Sequence, residues 1–164
     1  PIFYHNRIGK NGQIFKVYKF QTMLNNSDEM LNQYLEANPY QKKEWIEKQK
    51  LSFDPRITRI GLFLRKYSLD ELPQLINVFI GNMSFIGPRP IVKEEIEKYG
   101  KHFNIFIKAK SGISGLWQVS GRNDTTYKQR VEYDVYYINN RTLFLDIKIF
   151  FKTFYVILLR KGAY

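Results

Sequence analysis

Cysteine is absent from the 164-residue sequence, and histidine is rare, with only His5 and His102. The absence of cysteine excludes disulfides, thiolate catalysis and cysteine-based zinc sites. The two histidines lie far apart and match no metal-ligand spacing. No run of eighteen apolar residues occurs, so the sequence predicts no membrane-spanning helix. The chain opens on Pro1 with no methionine before it, and we therefore expect a further segment upstream.

Acidic residues are few relative to basic ones: 15 Asp and Glu stand against 26 Lys and Arg, and the formal net charge is +11. A basic chain binds anionic partners, and three classes fit: nucleic acid, a lipid headgroup surface, and phosphorylated small molecules. Charge alone does not choose among them. Hydrophobic residues make up 44% of the chain, so a packed core is expected, and the length suits one domain.

Local patterns predict an α+β fold, a mainly helical single domain that begins with a small antiparallel β-hairpin. Residues 2–20 predict the hairpin, because Asn11-Gly12 tolerates the positive φ angles of a tight turn. Apolar periodicity and capping residues predict helices over residues 28–37, 41–50, 58–66, 68–79, 91–99 and 127–139. Glycine interrupts residues 81–90 and 111–121, which predict irregular loops.

Two of these helices carry more detailed expectations. Ser27 is the expected N-cap of the helix at residues 28–37, since serine accepts hydrogen bonds from the free amides of a first turn. In the helix at residues 58–66, the helical spacing predicts that Ile60, Phe63 and Leu64 face the core.

The stretch from residue 143 to residue 159 is strongly apolar and follows helical spacing. Two interpretations fit it equally. It is either a core helix or a helix that lies in the headgroup region of a membrane, with Lys148, Lys152, Arg160 and Lys161 reaching anionic lipid.

The most informative segment places Asp70 and Glu71 a few residues after two cations, Arg65 and Lys66. Ser68 and Glu71 have the spacing of a capping box, which predicts that a helix starts here with both carboxylates in its first turn. Carboxylates, cations and free amide donors in one place suit phosphoryl transfer, in which positioning and charge neutralisation provide most of the catalysis. Acidic residues are also general features of first helical turns, so a purely structural role explains the same pattern.

Arg89 lies between two prolines in Gly87-Pro88-Arg89-Pro90. The prolines stiffen the backbone and fix the direction of a guanidinium that suits phosphate oxygens, although a rigid surface turn would have the same sequence. Lys19 ends the second predicted strand, where it either adds a cation to a phosphate site or is simply solvated.

Residues 115–123 combine glycines, an aromatic ring, and amide and guanidinium groups. Gln118, Arg122 and Asn123 provide the directed donors and acceptors that a sugar nucleotide needs. The alternative is that Trp117 only attaches a loop to the core, as buried aromatic residues often do.

Three strings carry a resemblance to a known family: DPRITRIG at residues 54–61, LRKYSLDELPQ at 64–74 and NMSFIGPRP at 82–90. In this order, the sequence resembles the bacterial sugar transferases, the monotopic phosphoglycosyl transferases, over essentially its whole length. The insert at residues 31–51, the run at 115–124 and the C-terminal Gly162-Ala163-Tyr164 resemble members that transfer galactose-1-phosphate, with glucose and N-acetylated sugars as alternatives.

The resemblance implies a two-step reaction at the cytoplasmic face of the bacterial inner membrane. In such enzymes an aspartate matching Asp70, paired with Glu71, attacks the diphosphate of a UDP-sugar, forms a phosphosugar intermediate and releases UMP. Undecaprenyl phosphate then takes the sugar phosphate, which begins the synthesis of a surface polysaccharide such as O-antigen, capsule or exopolysaccharide.

The resemblance also implies binding partners for individual residues. A divalent cation, Mg²⁺ or Mn²⁺, would lie beside Asp70 and Glu71. Arg65 and Arg89 match arginines associated with phosphate, and Arg122 matches one associated with the donor. Together with the residues considered above, the expected donor-binding set is Arg122, Gln118, Asn123 and Lys19. Residues 1–164 would be the catalytic domain, and the family's N-terminal re-entrant membrane helix would lie before Pro1. The expected partners are therefore UDP-sugar, undecaprenyl phosphate and the membrane surface, without nucleic acid.

Two rival functions explain part of the sequence. A nucleic-acid-binding domain accounts for the charge and the aromatic residues, but it leaves the acidic pair and the Pro-Arg-Pro turn without a purpose. A membrane-surface scaffold without catalysis accounts for the apolar stretch, but it gives no reason for Asp70 and Glu71.

Overall fold

The computed structural model describes residues 1–48, 51–121 and 125–158, and it confirms a mostly helical α+β architecture. The strands are β1 (Ile2–Ile8), β2 (Ile14–Phe20), β3 (Ser84–Ile86) and β4 (Gly112–Ser114). The helices are α1 (Ser27–Ala37), α2 (Pro39–Lys48), α3 (Arg59–Lys66), α4 (Gln74–Phe79), α5 (Ile96–Tyr99), α6 (Phe103–Phe106), α7 (Leu116–Ser120), α8 (Tyr127–Asn139) and α9 (Leu143–Leu158). Within these described ranges, no helix has both the length and the apolar character needed to cross a bilayer.

The predicted N-terminal hairpin is confirmed, with β1 and β2 paired antiparallel from Ile2 opposite Phe20 to Ile8 opposite Ile14. Asn11 and Gly12 have φ angles of 58° and 72° in the connecting turn, the left-handed conformation that Asn-Gly was expected to provide. Because paired residues share a face of a hairpin, Arg7, Val17 and Lys19 all lie on one side, and Val17 is buried there.

Two detailed helix predictions are wrong. The cap of α1 is Asn26, and Ser27 lies inside the helix. In α3, Ile60 and Phe63 are 73% and 56% exposed, and the buried residue is Gly61. The reason is steric: a Cβ at Gly61 would lie 2.1 Å from the backbone oxygen of Thr22, so α3 packs through its glycine and turns its large apolar side chains outward.

The two segments predicted as irregular loops contain regular structure. Residues 81–90 include β3, and residues 111–121 include β4 and α7. The strands pair in parallel, with Ser84 opposite Gly112, a contact between distant segments that no local pattern predicts. The pairing is close: a Cβ on Gly112 would lie 2.1 Å from the backbone nitrogen of Gly87, so these glycines are packing requirements rather than signs of a loop.

The predicted helix at residues 91–99 is interrupted, with a 3₁₀ turn at Lys93–Glu95 before α5. The helices predicted at the C-terminal end are confirmed as α8 and α9; residue 159, which the second prediction included, lies outside the described residues.

Buried apolar residues form several clusters rather than one centre. One joins the hairpin to α5, α6 and α8, and another joins β3 and α7 to α8 and α9. A third lies between α1 and the segment after α2. The buried members of the three are, respectively, Ile8, Ile91, Tyr99, Phe106 and Val131; Ile86, Val119, Tyr137, Ile149 and Val156; and Leu31, Leu35 and Leu51. The first two clusters hold the short strands β3 and β4 and the loops that follow them in a fixed position.

Asp134 is a buried carboxylate on α8, with 1% of its surface exposed. The Tyr99 hydroxyl donates to its Oδ2 at 2.6 Å, and its Oδ1 has no hydrogen-bond partner among the described residues. Burial raises the pKa of Asp134 from 3.8 to about 7, against the opposing effects of Tyr99 and Arg89. The folded protein therefore holds a proton that the unfolded chain releases from about pH 4 upward.

Because the folded state binds this proton more tightly, Asp134 lowers the stability of the fold as the pH rises from about 4 to about 7. We expect Asp134→Asn to be more stable than the wild type at pH 8, by about 2–4 kcal/mol in the free energy of unfolding, and similar to it near pH 4. Urea denaturation across this range measures both. Glu132→Gln, an exposed change on the same helix, is the control. A constant difference between Asp134→Asn and wild type at every pH would contradict the prediction.

Candidate active site

Asp70 and Glu71 lie in a 3₁₀ turn, Leu69–Glu71, directly before α4. The predicted capping box is wrong, because Ser68 adopts a left-handed conformation with φ 54° and makes no capping hydrogen bond from its side chain. Pro73 is the residue that caps α4. The carboxylates therefore precede this helix, and contacts with other elements set their environment rather than a first helical turn.

Glu71 forms an ion pair with Lys19 of β2, with 2.6 Å between Lys19 Nζ and Glu71 Oε1. Burial alone would raise the pKa of Glu71. The charge and hydrogen bond of Lys19, the charge of Arg89 and a hydrogen bond from Gln74 outweigh burial and hold this pKa below its ordinary value. Glu71 is thus an ionised carboxylate whose Oε1 is held by Lys19.

Asp70, its neighbour, is affected in the opposite direction. Burial raises the pKa of Asp70, and the adjacent charge of Glu71 raises it further, while Lys19 and Arg65 act against the rise. Two neighbouring carboxylates whose pKa values are pushed apart serve different chemical roles. The more basic member of the pair, Asp70, is the better nucleophile when ionised.

Arg65 lies at the end of α3, where its Nε donates to Thr22 Oγ1 at 2.8 Å. Thr22 is buried, and its carbonyl oxygen accepts from the amide of Thr58, the residue that caps α3. This contact fixes the direction of the Arg65 side chain, and its guanidinium is one of the two cations whose charge acts on Asp70.

Asn77 attaches the acidic turn to the hairpin. It is fully buried, its Nδ2 donates to the carbonyl oxygen of Lys16 at 2.6 Å, and its Oδ1 accepts from the amide of Tyr18. These two bonds join α4 to β2. They hold Lys19 and Glu71 at ion-pair distance, although 52 residues separate the two in the sequence.

Arg89 is exposed between two buried prolines, Pro88 and Pro90. The carbonyl oxygen of Pro88 accepts from the amide of Gly112 at 2.9 Å, so the turn is attached to β4. The Arg89 guanidinium carbon lies 5.9 Å from the centre of the Trp117 ring. Arg89 lines the same cavity as Glu71, and its charge acts on that carboxylate.

Two cavities meet at Glu71. The first, about 260 Å³, is lined mostly by apolar side chains of the acidic turn, α4 and α9, including Leu72, Leu75, Phe150 and Phe154. We call it the apolar groove. The second, here called the basic cleft, is lined by Arg7, Val17, Lys19, Glu71, Gln74, Arg89, Pro90, Gly112, Ile113 and Gln118. Glu71, Ile113 and Gln118 line both.

Gln118, which was predicted to bind the donor, lines both cavities. Its Nε2 donates to the carbonyl oxygen of Ile113 at 3.3 Å, while its buried Oε1 has no hydrogen-bond partner among the described residues. A buried acceptor of this kind fits a ligand hydroxyl. Arg122 and Asn123, the other two donor-site residues predicted from this segment, lie outside the described residues.

The structure brings Lys19, Glu71, Arg89 and Gln118 together at the basic cleft. Asp70 adjoins Glu71 and is affected by the charges of Lys19 and Arg65, but Asp70 and Arg65 line neither of these two cavities. Two arginines near the cleft were not predicted as site residues from the sequence. Arg7 lines the basic cleft, and the guanidinium carbon of Arg130 lies 4.7 Å from the centre of the Trp117 ring. The strand alternation around Asn11-Gly12 could have placed Arg7 on the same hairpin face as Lys19. Arg130 had no signal of its own, because it appears as one charged residue on a helix.

The described residues contain no group of three or more His, Cys, Asp and Glu that could hold a metal ion by itself. Magnesium needs fewer protein ligands, since one or two carboxylates with substrate phosphates complete its shell. The adjacent carboxylates of Asp70 and Glu71 fit that requirement.

Comparison with known proteins gives the family. A UDP-galactose-lipid carrier transferase of Erwinia amylovora is 52% identical over 164 residues, covering 100% of this chain and 34% of that protein. An undecaprenyl-phosphate galactose phosphotransferase of Salmonella typhimurium is 52% identical over 163 residues, 99% of this chain and 34% of that protein. The exopolysaccharide production protein ExoY of Rhizobium meliloti is 48% identical, with 99% and 73% covered. The chain thus spans about a third of the first two relatives.

The model of the family described as bacterial sugar transferase matches residues 1–160, which include every described element and both cavities. The chain belongs to the bacterial sugar transferase family.

Proposed function

We propose that this chain transfers a sugar-1-phosphate, in particular galactose-1-phosphate, from a UDP-sugar to undecaprenyl phosphate and releases UMP. The observation that carries the proposal is the position of Glu71, directly after Asp70, at the meeting point of an apolar groove and a basic cleft. The lipid phosphate acceptor requires an apolar environment, and the nucleotide-sugar donor requires a basic one. The two environments must lie on either side of the phosphorus that reacts. The names of two relatives, each 52% identical, support both galactose and the lipid carrier.

In the first step, an ionised oxygen of Asp70 attacks the phosphorus that bears the sugar. A new bond forms between Asp70 and phosphorus, the bond to the UMP oxygen breaks, and UMP leaves with the electron pair. In the second step, an oxygen of undecaprenyl phosphate attacks the same phosphorus and Asp70 leaves as a carboxylate. The raised pKa of Asp70 suits it to this role, whereas Glu71 is held by Lys19.

Other residues position the two substrates. Arg65 and Lys19, the cations near Asp70, suit the phosphate that is attacked, and Arg89 suits the phosphate that leaves. The unpartnered Oε1 of Gln118 would accept a hydrogen bond from a sugar hydroxyl. We also assign Arg122 and Asn123 to the donor, from their place in the sequence.

Asp70 and Glu71 would hold Mg²⁺ or Mn²⁺ together with the donor diphosphate. A bound divalent cation supplies neutralisation of phosphate charge, which lowers the barrier to attack by an anionic carboxylate.

The apolar groove and the surface around it fit the lipid acceptor and its membrane. Phe79 is 93% exposed on the side of α4 that carries Leu75, and Phe151 is 67% exposed on α9 beside Phe150. Exposed aromatic residues at both rims of an apolar groove are typical of a surface that meets lipid. The polyprenyl chain would therefore enter the groove from the bilayer, with its phosphate at Glu71 and Asp70.

We expect Asp70→Asn to abolish formation of the phosphosugar-enzyme adduct, because an amide does not attack phosphorus. Intact-protein mass spectrometry after incubation with UDP-galactose and Mg²⁺ measures the adduct. Glu71→Gln is the matched comparison: it should slow the reaction but leave a detectable adduct on Asp70. An adduct of wild-type yield in Asp70→Asn would remove this residue from the nucleophile role.

A screen of UDP-sugars tests the reaction itself. With undecaprenyl phosphate and Mg²⁺, we expect UMP release to be fastest with UDP-galactose, compared with UDP-glucose and UDP-N-acetylated sugars. Adding a chelator in excess of the metal should stop UMP release, and restoring Mg²⁺ should recover it. No UMP from any of these donors, in a preparation that binds vesicles, would contradict the proposed function; release that resists the chelator would contradict the metal alone.

Membrane binding through the groove rims is expected to depend on their aromatic side chains. We expect the double variant Phe79→Ser, Phe151→Ser to bind vesicles of phosphatidylglycerol and phosphatidylethanolamine at least about a hundredfold more weakly, because burying each of the two side chains contributes about 1.5–3 kcal/mol. Sedimentation with the vesicles measures this. Ile14→Ser, which removes an apolar side chain that is 67% exposed at the hairpin, is the control. Equal binding by the double variant and wild type would place the lipid contact elsewhere.

A further inference from the structure

Three guanidinium groups converge beside the basic cleft from separate parts of the chain. Arg7 comes from β1, Arg89 from the Pro-Arg-Pro turn and Arg130 from α8. Arg7 and Arg89 line the cleft together. The guanidinium carbons of Arg89 and Arg130 lie 5.9 Å and 4.7 Å from the centre of the same Trp117 ring. We call Arg7, Arg89 and Arg130 the arginine cluster.

The arginine cluster is not neutralised within the part of the chain that the structure describes. No carboxylate there lies within ion-pair distance of any of its three members. Glu95 acts on Arg7 and Arg130, and Glu94 acts on Arg7, only from beyond ion-pair distance. The Oε2 of Glu95 accepts from the amide of Val92 at 2.9 Å, which holds this carboxylate in place.

Convergence of like charges carries a free-energy cost in the ligand-free protein. Burial lowers the pKa of Arg7 and of Arg130, and the charge of Arg89 lowers both further. Such an arrangement is relieved when an anion enters between the guanidinium groups. The planar forks of arginine match the oxygens of a phosphate, and two or three of them surround one phosphate group.

Trp117 orients the cluster rather than binding a ligand on its own ring. Its side chain is buried, and the guanidinium groups of Arg89 and Arg130 lie near the same ring. Stacking on an aromatic ring restricts the rotation of an arginine fork, so that its N–H groups keep one direction. Arg130 Nε is further held by Thr125 Oγ1 at 3.2 Å.

We propose that Arg7 and Arg130, together with Arg89, bind the phosphate of the nucleoside monophosphate half of the donor and stabilise it as it leaves. Arg89 connects the cluster to the reacting centre, because its charge acts on Glu71 as well as on Arg7 and Arg130. The residues that line the groove but not the cleft are mainly apolar, which assigns the lipid to that side and the nucleotide to the arginine side. The proposal rests on the proposed function, in which UMP is the leaving group. UMP leaves with the electron pair of the broken bond, so negative charge develops on its phosphate, where the arginines would stabilise it.

Titration with UMP, with no other substrate, tests the cluster directly. We expect Arg7→Gln and Arg130→Gln each to raise the Kd for UMP about tenfold or more, the usual effect of losing a hydrogen bond between charged groups. In turnover, the KM for UDP-sugar should rise in parallel while the KM for undecaprenyl phosphate stays unchanged. Arg130→Lys, which keeps the charge but loses the fork, should lie between wild type and Arg130→Gln.

Lys98→Gln is the matched control. It removes the same charge from α5 and also a cation over an aromatic ring, since Lys98 Nζ lies 5.0 Å from the centre of the Tyr127 ring. UMP affinity should be unchanged in this variant. A fall in affinity as large as that in Arg7→Gln would show that the net charge of this surface, rather than a built site, attracts the nucleotide, and would overturn the proposal.

Two results would overturn the assignment to the nucleotide. A raised KM for the lipid acceptor with unchanged UMP binding would make the cluster a lipid-phosphate site. If the variants keep the wild-type Tm, the wild-type Kd for UMP and the wild-type KM for undecaprenyl phosphate, the arginine cluster has a structural role only. If Arg130→Gln does not fold, the values from Arg7→Gln and Arg130→Lys decide. Failure of the proposed function is distinguishable, because a protein that binds UMP through Arg7 and Arg130 but forms no adduct from any UDP-sugar would retain the site and lose the reaction.

Discussion

The ion pair between Lys19 and Glu71 is the contact on which the site depends. It connects a strand of the N-terminal hairpin to the acidic turn across 52 residues, with 2.6 Å between Nζ and Oε1. The buried Asn77 supports this ion pair, because its side-chain amide donates to the carbonyl oxygen of Lys16 and accepts from the amide of Tyr18, both in β2. Without this docking, Glu71 would be a partly buried charge without its cation, a strongly destabilising arrangement. The two carboxylates therefore differ: Lys19 holds the pKa of Glu71 below its ordinary value, whereas the pKa of Asp70 is raised.

Several family motifs prove to be structural supports for that arrangement. In the DPR string, Arg56 donates two hydrogen bonds to Asp54, from Nε at 2.8 Å and from Nη2 at 2.7 Å. The Arg56 guanidinium also lies over the Trp45 ring. This pair is almost fully buried and links α2 to the start of α3, which carries Arg65. The glycines of the paired strands β3 and β4 allow the backbones to approach closely, and this packing sets the position of Arg89. A motif residue can therefore serve catalysis without touching substrate.

The two cavities correspond to two features of the composition, a net charge of +11 and an aromatic share of 16%. Three cations, Arg7, Lys19 and Arg89, line the basic cleft. Exposed aromatic side chains occur on α4 and α9, as at Phe79 and Phe151, but also in other parts of the described chain. In α9, Ile149 and Val156 are buried, as the core-helix interpretation predicted, whereas Phe151 and Phe154 are exposed and contact with a membrane stays a proposal.

The sequence by itself determined the hairpin, α8 and α9, because each depends on local chemistry: Asn-Gly in a turn, or apolar residues at helical spacing. It also indicated Asp70, Glu71, Arg65, Arg89, Lys19 and Gln118, through motifs long enough to match the family. Only the tertiary structure decided the parallel pairing of β3 and β4, the outward direction of Ile60 and Phe63, and the left-handed Ser68 that replaces the expected cap. The tertiary structure alone placed Arg7 and Arg130 near Arg89. Contacts between distant segments depend on how those segments pack, and local periodicity in the sequence carries no information about that packing.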